Sequence, residues 1–229
     1  MRNGIVIQAR YSSHRLSGKV LRPLLGKPLL GWLIERMQLV AEASSVIVAT
    51  STGADDDAVE QFAGQAGAAV HRGPLDDVLA RFLGAADAHG LDVAVRVSGD
   101  SPLLDPALVS EVLRLGGGDV DLVSNVVERS YPKGQSVEAI AVPALRKVAA
   151  LAREAADREH VTPYFYAHPR EFRIRSLQCE TPAPEVRLCV DTAEDFAVIE
   201  RIASAMTRPQ RQYGLSELLG LYRAQVRTN

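Results

Sequence analysis

An α/β fold built around a mostly parallel sheet is what this sequence predicts, on three observations. Short β-rich apolar runs alternate with longer helical patterns, the mark of repeated βαβ units. At 229 residues, with 47% hydrophobic and 24% charged, the chain is large enough for one sizeable core and has an ordinary globular composition. No internal repeat, low-complexity tract or flexible linker interrupts it, so a single domain over residues 1–229 is expected.

The first strand is read at 4–9, where Gly4-Ile5-Val6-Ile7 opens an apolar run. Further strands are read at 46–50, 68–71, 93–98 and 121–124, with helices at 27–42, 55–67, 75–89 and 106–115 between them. Asp55-Asp56-Asp57 ahead of Ala58-Val59 suits a helix N-terminus, where carboxylates meet exposed N–H groups. Gly116-Gly117-Gly118 reads as a helix end rather than a phosphate cradle, since no strand precedes it and no helix follows. After about residue 125 the pattern changes. A turn at Tyr131-Pro132-Lys133-Gly134 leads to a strand at 136–142, a helix from Pro143 and another from Asp157 to His168. This stretch, about 126–170, is expected to be an inserted hairpin-and-helix excursion from the sheet. Strands at 172–178 and 186–190 and helices at 193–206 and 215–226 complete the chain.

A formal net charge of −2 provides no global basic field, so nucleic acid is not expected as a partner and any cationic site must be local. Cys179 and Cys189 are too few for a disulfide framework, and no apolar run approaches the roughly 20 residues of a membrane span. With no signal-peptide pattern at the N-terminus, a cytoplasmic address is expected.

In an open parallel sheet, ligands bind beyond the carboxyl ends of the strands. The residues found there are Arg10, Arg15, Gly18 and Lys19 after the first strand, Thr50-Ser51-Thr52 after the second, and Arg72-Gly73 after the third. Gly99-Asp100-Ser101-Pro102 follows the fourth, and Asp191-Thr192 a late one. Cations with glycine-exposed N–H groups bind polyanions, and two separated carboxylates are what Mg²⁺ takes alongside substrate phosphates. A nucleoside triphosphate with magnesium fits that inventory. Each residue also has a plainer reading: the cations as solvated loop charges, Asp100 as a turn cap, and Asp191-Thr192-Ala193-Glu194 as a helix cap. Residues 13 to 20 do not make a Walker loop, and no dinucleotide fingerprint follows the first strand.

Ile7-Gln8-Ala9-Arg10, Ser13, Arg15-Leu16, Gly18-Lys19, Leu25-Gly26-Lys27-Pro28-Leu29 and Val48-Ala49-Thr50-Ser51 form one set of motifs. Gly99-Asp100-Ser101-Pro102-Leu103, Asp105-Pro106, Arg158-Glu159-His160-Val161-Thr162-Pro163-Tyr164 and Asp191-Thr192-Ala193-Glu194-Asp195-Phe196 form the rest. Together they resemble the spore coat polysaccharide biosynthesis protein F family over nearly the whole chain. That family is similar to the CMP-sugar synthetases. The resemblance implies a single-domain, Rossmann-like nucleotidyltransferase fold of three layers with a mostly parallel mixed sheet. It also implies transfer of CMP from CTP to an acidic sugar with release of pyrophosphate, in surface polysaccharide or glycoconjugate synthesis.

By the same carry-over, Arg10, Arg15 and Lys19 hold the triphosphate and, with Asp100, carry catalysis, while Asp100 and Asp191 take Mg²⁺. Gln8, Ala9, Ser13, Gly18, Thr50, Ser51, Arg72 and Gly99 lie at the nucleotide. Gln135, Glu138 and His160 lie toward the acceptor, His160 being alternatively an interface residue. The stretch after residue 125 resembles a dimerisation segment, so a homodimer is expected. Ser12, Ser17 and Ser136 depart from the family pattern, the last within the acceptor segment. Two other readings stay open, a glycosyltransferase using a nucleotide sugar and a nucleotide-binding protein without turnover; against the former, no D-x-D triplet follows the fourth strand.

Overall fold

Alternation along the first strand sets the layers. In β1 (Asn3–Gln8), Ile5 and Ile7 pack into one core cluster and Val6 into another, as the two-residue period of a strand requires. The computed structural model describes residues 1–12 and 15–226. After β1 come a small hairpin, β2 (Pro23–Leu24) and β3 (Lys27–Pro28), then α1 (Leu29–Met37), β4 (Ser45–Ser51), α2 (Asp57–Gln65), β5 (Ala69–Gly73) and α3 (Val78–Ala88). The chain continues through β6 (Val93–Ser98), α4 (Pro106–Leu115), β7 (Leu122–Ser124), β8 (Glu138–Ala141), α5 (Val142–Leu151), α6 (Ala155–His160) and α7 (Pro163–Ala167). It closes with β9 (Ile174–Ser176), α8 (Ala193–Ser204) and α9 (Leu215–Val226).

Seven strands form one sheet in the order β5-β4-β1-β6-β8-β7-β9. All run parallel except β8, which is antiparallel to both β6 and β7. Residues from α1, α2 and α4 pack on the Ile5 face, and residues from α3, α5 and α7 on the Val6 face, giving the three layers expected of an α/β domain. A third cluster around Trp32, Phe196 and Ile199 seats α8 and α9 against α1. Among the described residues no helix is long and apolar enough to cross a membrane.

The strand order creates the crevice. From β1 the chain moves outward through β4 to β5, then crosses back to place β6 on the other side of β1. The connections leaving β1 and β6 therefore diverge, and such a switch point is where open α/β sheets bind ligands. At this point the two strands are clamped: Gly99 N–H donates to the Gln8 carbonyl at 2.8 Å. A Cβ at residue 99 would lie 2.8 Å from Ala9 Cβ and 3.0 Å from the Gln8 oxygen, so the approach requires glycine.

Four expectations change. The strand read at 136–142 is β8, which sits inside the sheet between β6 and β7 rather than on an excursion from it. The segment 186–190 is not a strand; it makes one isolated bridge, Lys133 to Arg187, because the chain turns at once into the loop before α8. The helix from Asp157 to His168 is two short helices, broken where Val161 takes φ 71° ahead of Thr162-Pro163. The helix read at 27–42 is shorter, since Lys27–Pro28 pair with the preceding strand and the helix stops at Met37.

Candidate active site

The chain leaves β1 at the centre of the sheet and leads through Lys19 to the separate β2–β3 hairpin, and one contact shapes the loop between them. Gly18 adopts φ 68°, and its N–H donates to the Tyr11 carbonyl at 2.8 Å. The expected role of Gly18 as an exposed phosphate donor is thus corrected: its N–H closes the loop. The left-handed turn at Gly18 starts the short 3-10 helix Lys19–Leu21, which aims the Lys19 side chain back across the strand ends.

There Lys19 meets both carboxylates that the sequence singled out. Its Nζ donates to Asp100 Oδ2 at 3.0 Å, Asp191 Oδ1 at 3.0 Å and the Val190 carbonyl at 2.8 Å, so all three ammonium protons have acceptors. Asp100 follows β6 and Asp191 precedes α8, and a backbone bond from Val190 N–H to the Asp100 carbonyl at 2.8 Å joins the two segments. Arg15 adds a contact at 3.0 Å to Asp191 Oδ1, and Arg187 one at 3.1 Å to Asp191 Oδ2. Burial alone would raise the Asp191 carboxyl, but the Lys19 hydrogen bond and the Lys19, Arg15 and Arg187 cations hold it below the usual carboxylate range. Burial would likewise lower the Lys19 ammonium; Asp100 and Asp191 outweigh it and hold it above the usual lysine value.

Asp191 is not the helix cap. Thr192 caps α8 through a reciprocal pair with Asp195, so the plain reading of this motif belongs to its neighbours.

The cavity over these groups measures about 250 Å³ and is lined by Gln8, Ala9, Arg10, Ser12, Arg15, Lys19, Val20, Ser98, Asp100 and Asp191. Seven residues assigned from sequence are therefore together: Gln8, Ala9, Arg10, Arg15, Lys19, Asp100 and Asp191. Arg10 makes no ion pair among the described residues, which leaves a guanidinium at the cavity free for an anion. Two carboxylates converging on one cation, with room for further oxygen ligands, are a donor set that fits Mg²⁺ completed by phosphate and water. Among the described residues no cluster of three or more His, Cys, Asp or Glu side chains offers a closed cage instead. A larger groove of about 460 Å³, between α4, α9 and residues 178–181, contains no such convergence of cations and paired carboxylates.

Several assignments lie elsewhere. Ser13 is outside the described residues. Arg72 does not reach the cavity, because its guanidinium is held by Asp57 at 2.6 Å, Glu60 at 2.7 Å and the Ser51 and Gly53 carbonyls. Thr50 and Ser51 are buried below the rim, and Gly99 serves the clamp between β1 and β6. Gln135 is fully buried, its amide accepting from Asp105 N–H and donating to the Leu103 carbonyl, both at 2.9 Å. It braces the loop after Asp100 and offers no free polar group. Glu138 is paired with Arg96 at 2.6 Å and accepts from the Tyr166 hydroxyl, which in turn bonds Ser124. Burial, then the Glu138 charge, pushes the Tyr166 hydroxyl well above its usual value. His160 is exposed at the end of α6 and is absent from the cavity lining.

Ser12, Val20 and Ser98 in the cavity lining, and Asp56, which bonds the loop at Tyr11, were not assigned to the site from the sequence. Ser98 lines the cavity at the end of β6, where the strand-end rule could have found it. Asp56, read as part of a helix cap, makes no cap bond; it is buried and accepts from Tyr11 N–H at 2.6 Å, Ser51 N–H at 2.9 Å and the Ser51 hydroxyl. It anchors the loop that carries Arg10 and Lys19. No local sequence signal marks it, since one of its partners lies 45 residues away.

Comparison with known proteins bears on the family and the fold. The cytidylyltransferase family model matches residues 5–226. The spore coat polysaccharide biosynthesis protein SpsF of Bacillus subtilis is 34% identical over 227 residues, covering 94% of this chain and 92% of that protein. The 3-deoxy-manno-octulosonate cytidylyltransferase of Saccharophagus degradans is 38% identical over 112 residues, covering 47% of this chain and 42% of that protein. The structure of a cytidylyltransferase from Leptospira borgpetersenii superposes with a TM-score of 0.95 at 28% identity, over 99% of this chain and 96% of that one.

Proposed function

Because the chain belongs to the cytidylyltransferase family, we propose that it transfers CMP from CTP to an acidic sugar and releases pyrophosphate. The observation that carries this reading is the convergence of Lys19, Asp100 and Asp191 beside Arg10 and Arg15 at the switch point of the sheet. An acidic acceptor is favoured by the octulosonate named for the relative from Saccharophagus degradans.

In this reaction an acceptor hydroxyl attacks the α-phosphorus in line with the departing bridge oxygen. The new P–O bond forms as the bond to the β-phosphate oxygen breaks, and the hydroxyl proton passes to solvent. The protein's work is to position the reactants and neutralise charge. Arg10, which has no ion-pair partner among the described residues, and Arg15 at the cavity mouth are suited to bind the triphosphate. Asp100 and Asp191 would hold Mg²⁺, which when bound supplies charge neutralisation and lowers the pKa of an oxygen it contacts. Lys19 is placed to neutralise charge developing on the departing pyrophosphate. A cavity of about 250 Å³ accommodates the phosphates, with cytidine and acceptor extending from it.

The test measures pyrophosphate release for each of the four nucleoside triphosphates with Mg²⁺ across a panel of acidic sugars. Release with CTP and one acceptor class is expected. Tight CTP binding with no release across the panel would overturn the transferase reading in favour of a binding protein.

A further inference from the structure

Asp100 Oδ2 and Asp191 Oδ1 face each other across one point, and the Lys19 ammonium occupies it. The arrangement is built rather than incidental. The Lys19 side chain is only 12% exposed, its three acceptors come from the β6 end and the loop before α8, and the Val190 to Asp100 backbone bond fixes those segments together. Mg²⁺ held by these two aspartates would draw on the carboxylates that the ammonium, 3.0 Å from an oxygen of each, already engages. The ammonium uses Asp100 Oδ2 and Asp191 Oδ1, so a divalent ion drawn to those oxygens would meet like-charge repulsion at short range.

We propose that Lys19 is the resident counter-ion of the carboxylate pair, excluding free divalent cations until a polyphosphate draws its ammonium away. The inference rests on the nucleotidyl-transfer reading of the same cavity. Four flexible methylenes let the ammonium swing without moving the backbone. A triphosphate beside Arg10 would draw both Lys19 and Arg15, the two cations on Asp191 Oδ1, and so free that oxygen and Asp100 Oδ2 for a metal that travels with the nucleotide, while Arg187 keeps Asp191 Oδ2. One lysine thus serves two anions in sequence. Metal and nucleotide binding become coupled, and by linkage each must strengthen the other by the same factor.

The experiment titrates Mn²⁺ into nucleotide-free protein, reading free Mn²⁺ by electron paramagnetic resonance, for wild type, Lys19→Met, Lys19→Gln and the double variant Lys19→Met, Asp191→Asn. Removing the ammonium should tighten Mn²⁺ binding on the order of tenfold or more, the range of ordinary coupling energies, and the double variant should lose the gain. Folding is checked by circular dichroism. A wild-type readout stands independently of the variants: lysine-selective nitrogen NMR should show a protected Lys19 ammonium that persists with Mg²⁺ alone and changes only when CTP is added with it. Folded Lys19 variants that bind Mn²⁺ no more tightly than wild type would overturn the proposal, as would a Lys19 signal displaced by Mg²⁺ alone. None of these measurements needs turnover. Failure here with CTP-dependent pyrophosphate release intact removes only the exclusion, and exclusion without release removes only the proposed reaction.

Discussion

The loop after β1 and the segment leading into β8 reach the same rim of the sheet, yet they use their polar groups in opposite ways. In the loop, Arg10 has no ion-pair partner among the described residues, Arg15 is largely exposed, and Lys19 holds the Val190 carbonyl and the two carboxylates it is proposed to release. In the β8 segment, Gln135 uses both ends of its amide on backbone and Glu138 uses its carboxylate on Arg96 and Tyr166. Residue type alone made these groups look equivalent, as polar side chains near a ligand. Packing separates them: the first set lines the cavity, and the second is used on internal hydrogen bonds and an ion pair.

That contrast is sharpest at Lys19. Lys19→Ala should lower turnover on the order of a hundredfold or more, the usual loss when a group that neutralises transition-state charge is removed. The lysine is buried between two carboxylates, so unlike a solvated loop lysine it also supports the fold, by about 1–3 kcal/mol. Kinetics at saturating nucleotide, paired with urea unfolding with and without Mg²⁺, separate the two; wild-type turnover would break the distinction between the regions.

Gln135→Ala should do the reverse. Leaving Asp105 N–H and the Leu103 carbonyl unpaired and creating a cavity should cost about 2–4 kcal/mol, with turnover per folded molecule changed far less than in Lys19→Ala. A variant as stable as wild type with a specific loss of acceptor affinity would return Gln135 to the binding set.

Asp56 stands between the two classes, a buried anchor beneath a functional loop. Asp56→Asn should cost about 1–2 kcal/mol and raise KM for the nucleotide more than it lowers kcat, because the loop is positioned less well while its cations remain. The pH dependence has a definite sign. Burial alone would raise the Asp56 carboxyl, but the Ser51 hydroxyl and the Tyr11 and Ser51 N–H groups outweigh it and lower it. Its contribution is therefore complete above the unfolded value of about 3.9 and is lost as pH falls through the lower folded value. Thermal melts from pH 5 downward should show a shallower decline for Asp56→Asn than for wild type.

The smallest effect is expected at Arg72. Its partners are exposed carboxylates and nearby carbonyls outside the cavity, and exposed ion pairs contribute little. Arg72→Ala should leave kcat and KM for CTP unchanged, and a marked rise in KM would place the nucleotide farther toward β5 than the cavity suggests.

Much of the site was legible because the rule that finds it is local: a strand ends, and the next residues are charged. Arg10 and Asp100 obey that rule directly, and Lys19 follows on the loop that β1 opens. Asp191 was reached through a strand that the structure does not contain, yet it lines the cavity because the Val190 N–H bond to the Asp100 carbonyl ties its segment to the end of β6. The rest depended on partners distant in sequence. Gln135 meets Asp105 across 30 residues and Glu138 meets Arg96 across 42, and neither residue announces its partner. The reversal of β8 was similarly hidden, since a four-residue strand looks alike in either direction and only its pairing with β6 and β7 assigns one.

The bond from Val190 to Asp100 also bears on biosynthesis. A nascent chain that has emerged only through β9 already contains every strand of the sheet, the cationic loop and Asp100, but neither Asp191 nor the backbone that locks it in place. Such a chain has a lysine with half its anionic setting and no paired carboxylates to receive a metal. The pair of carboxylates is therefore complete only after the last strand of the sheet has been made, once Asp191 and the loop before α8 follow it.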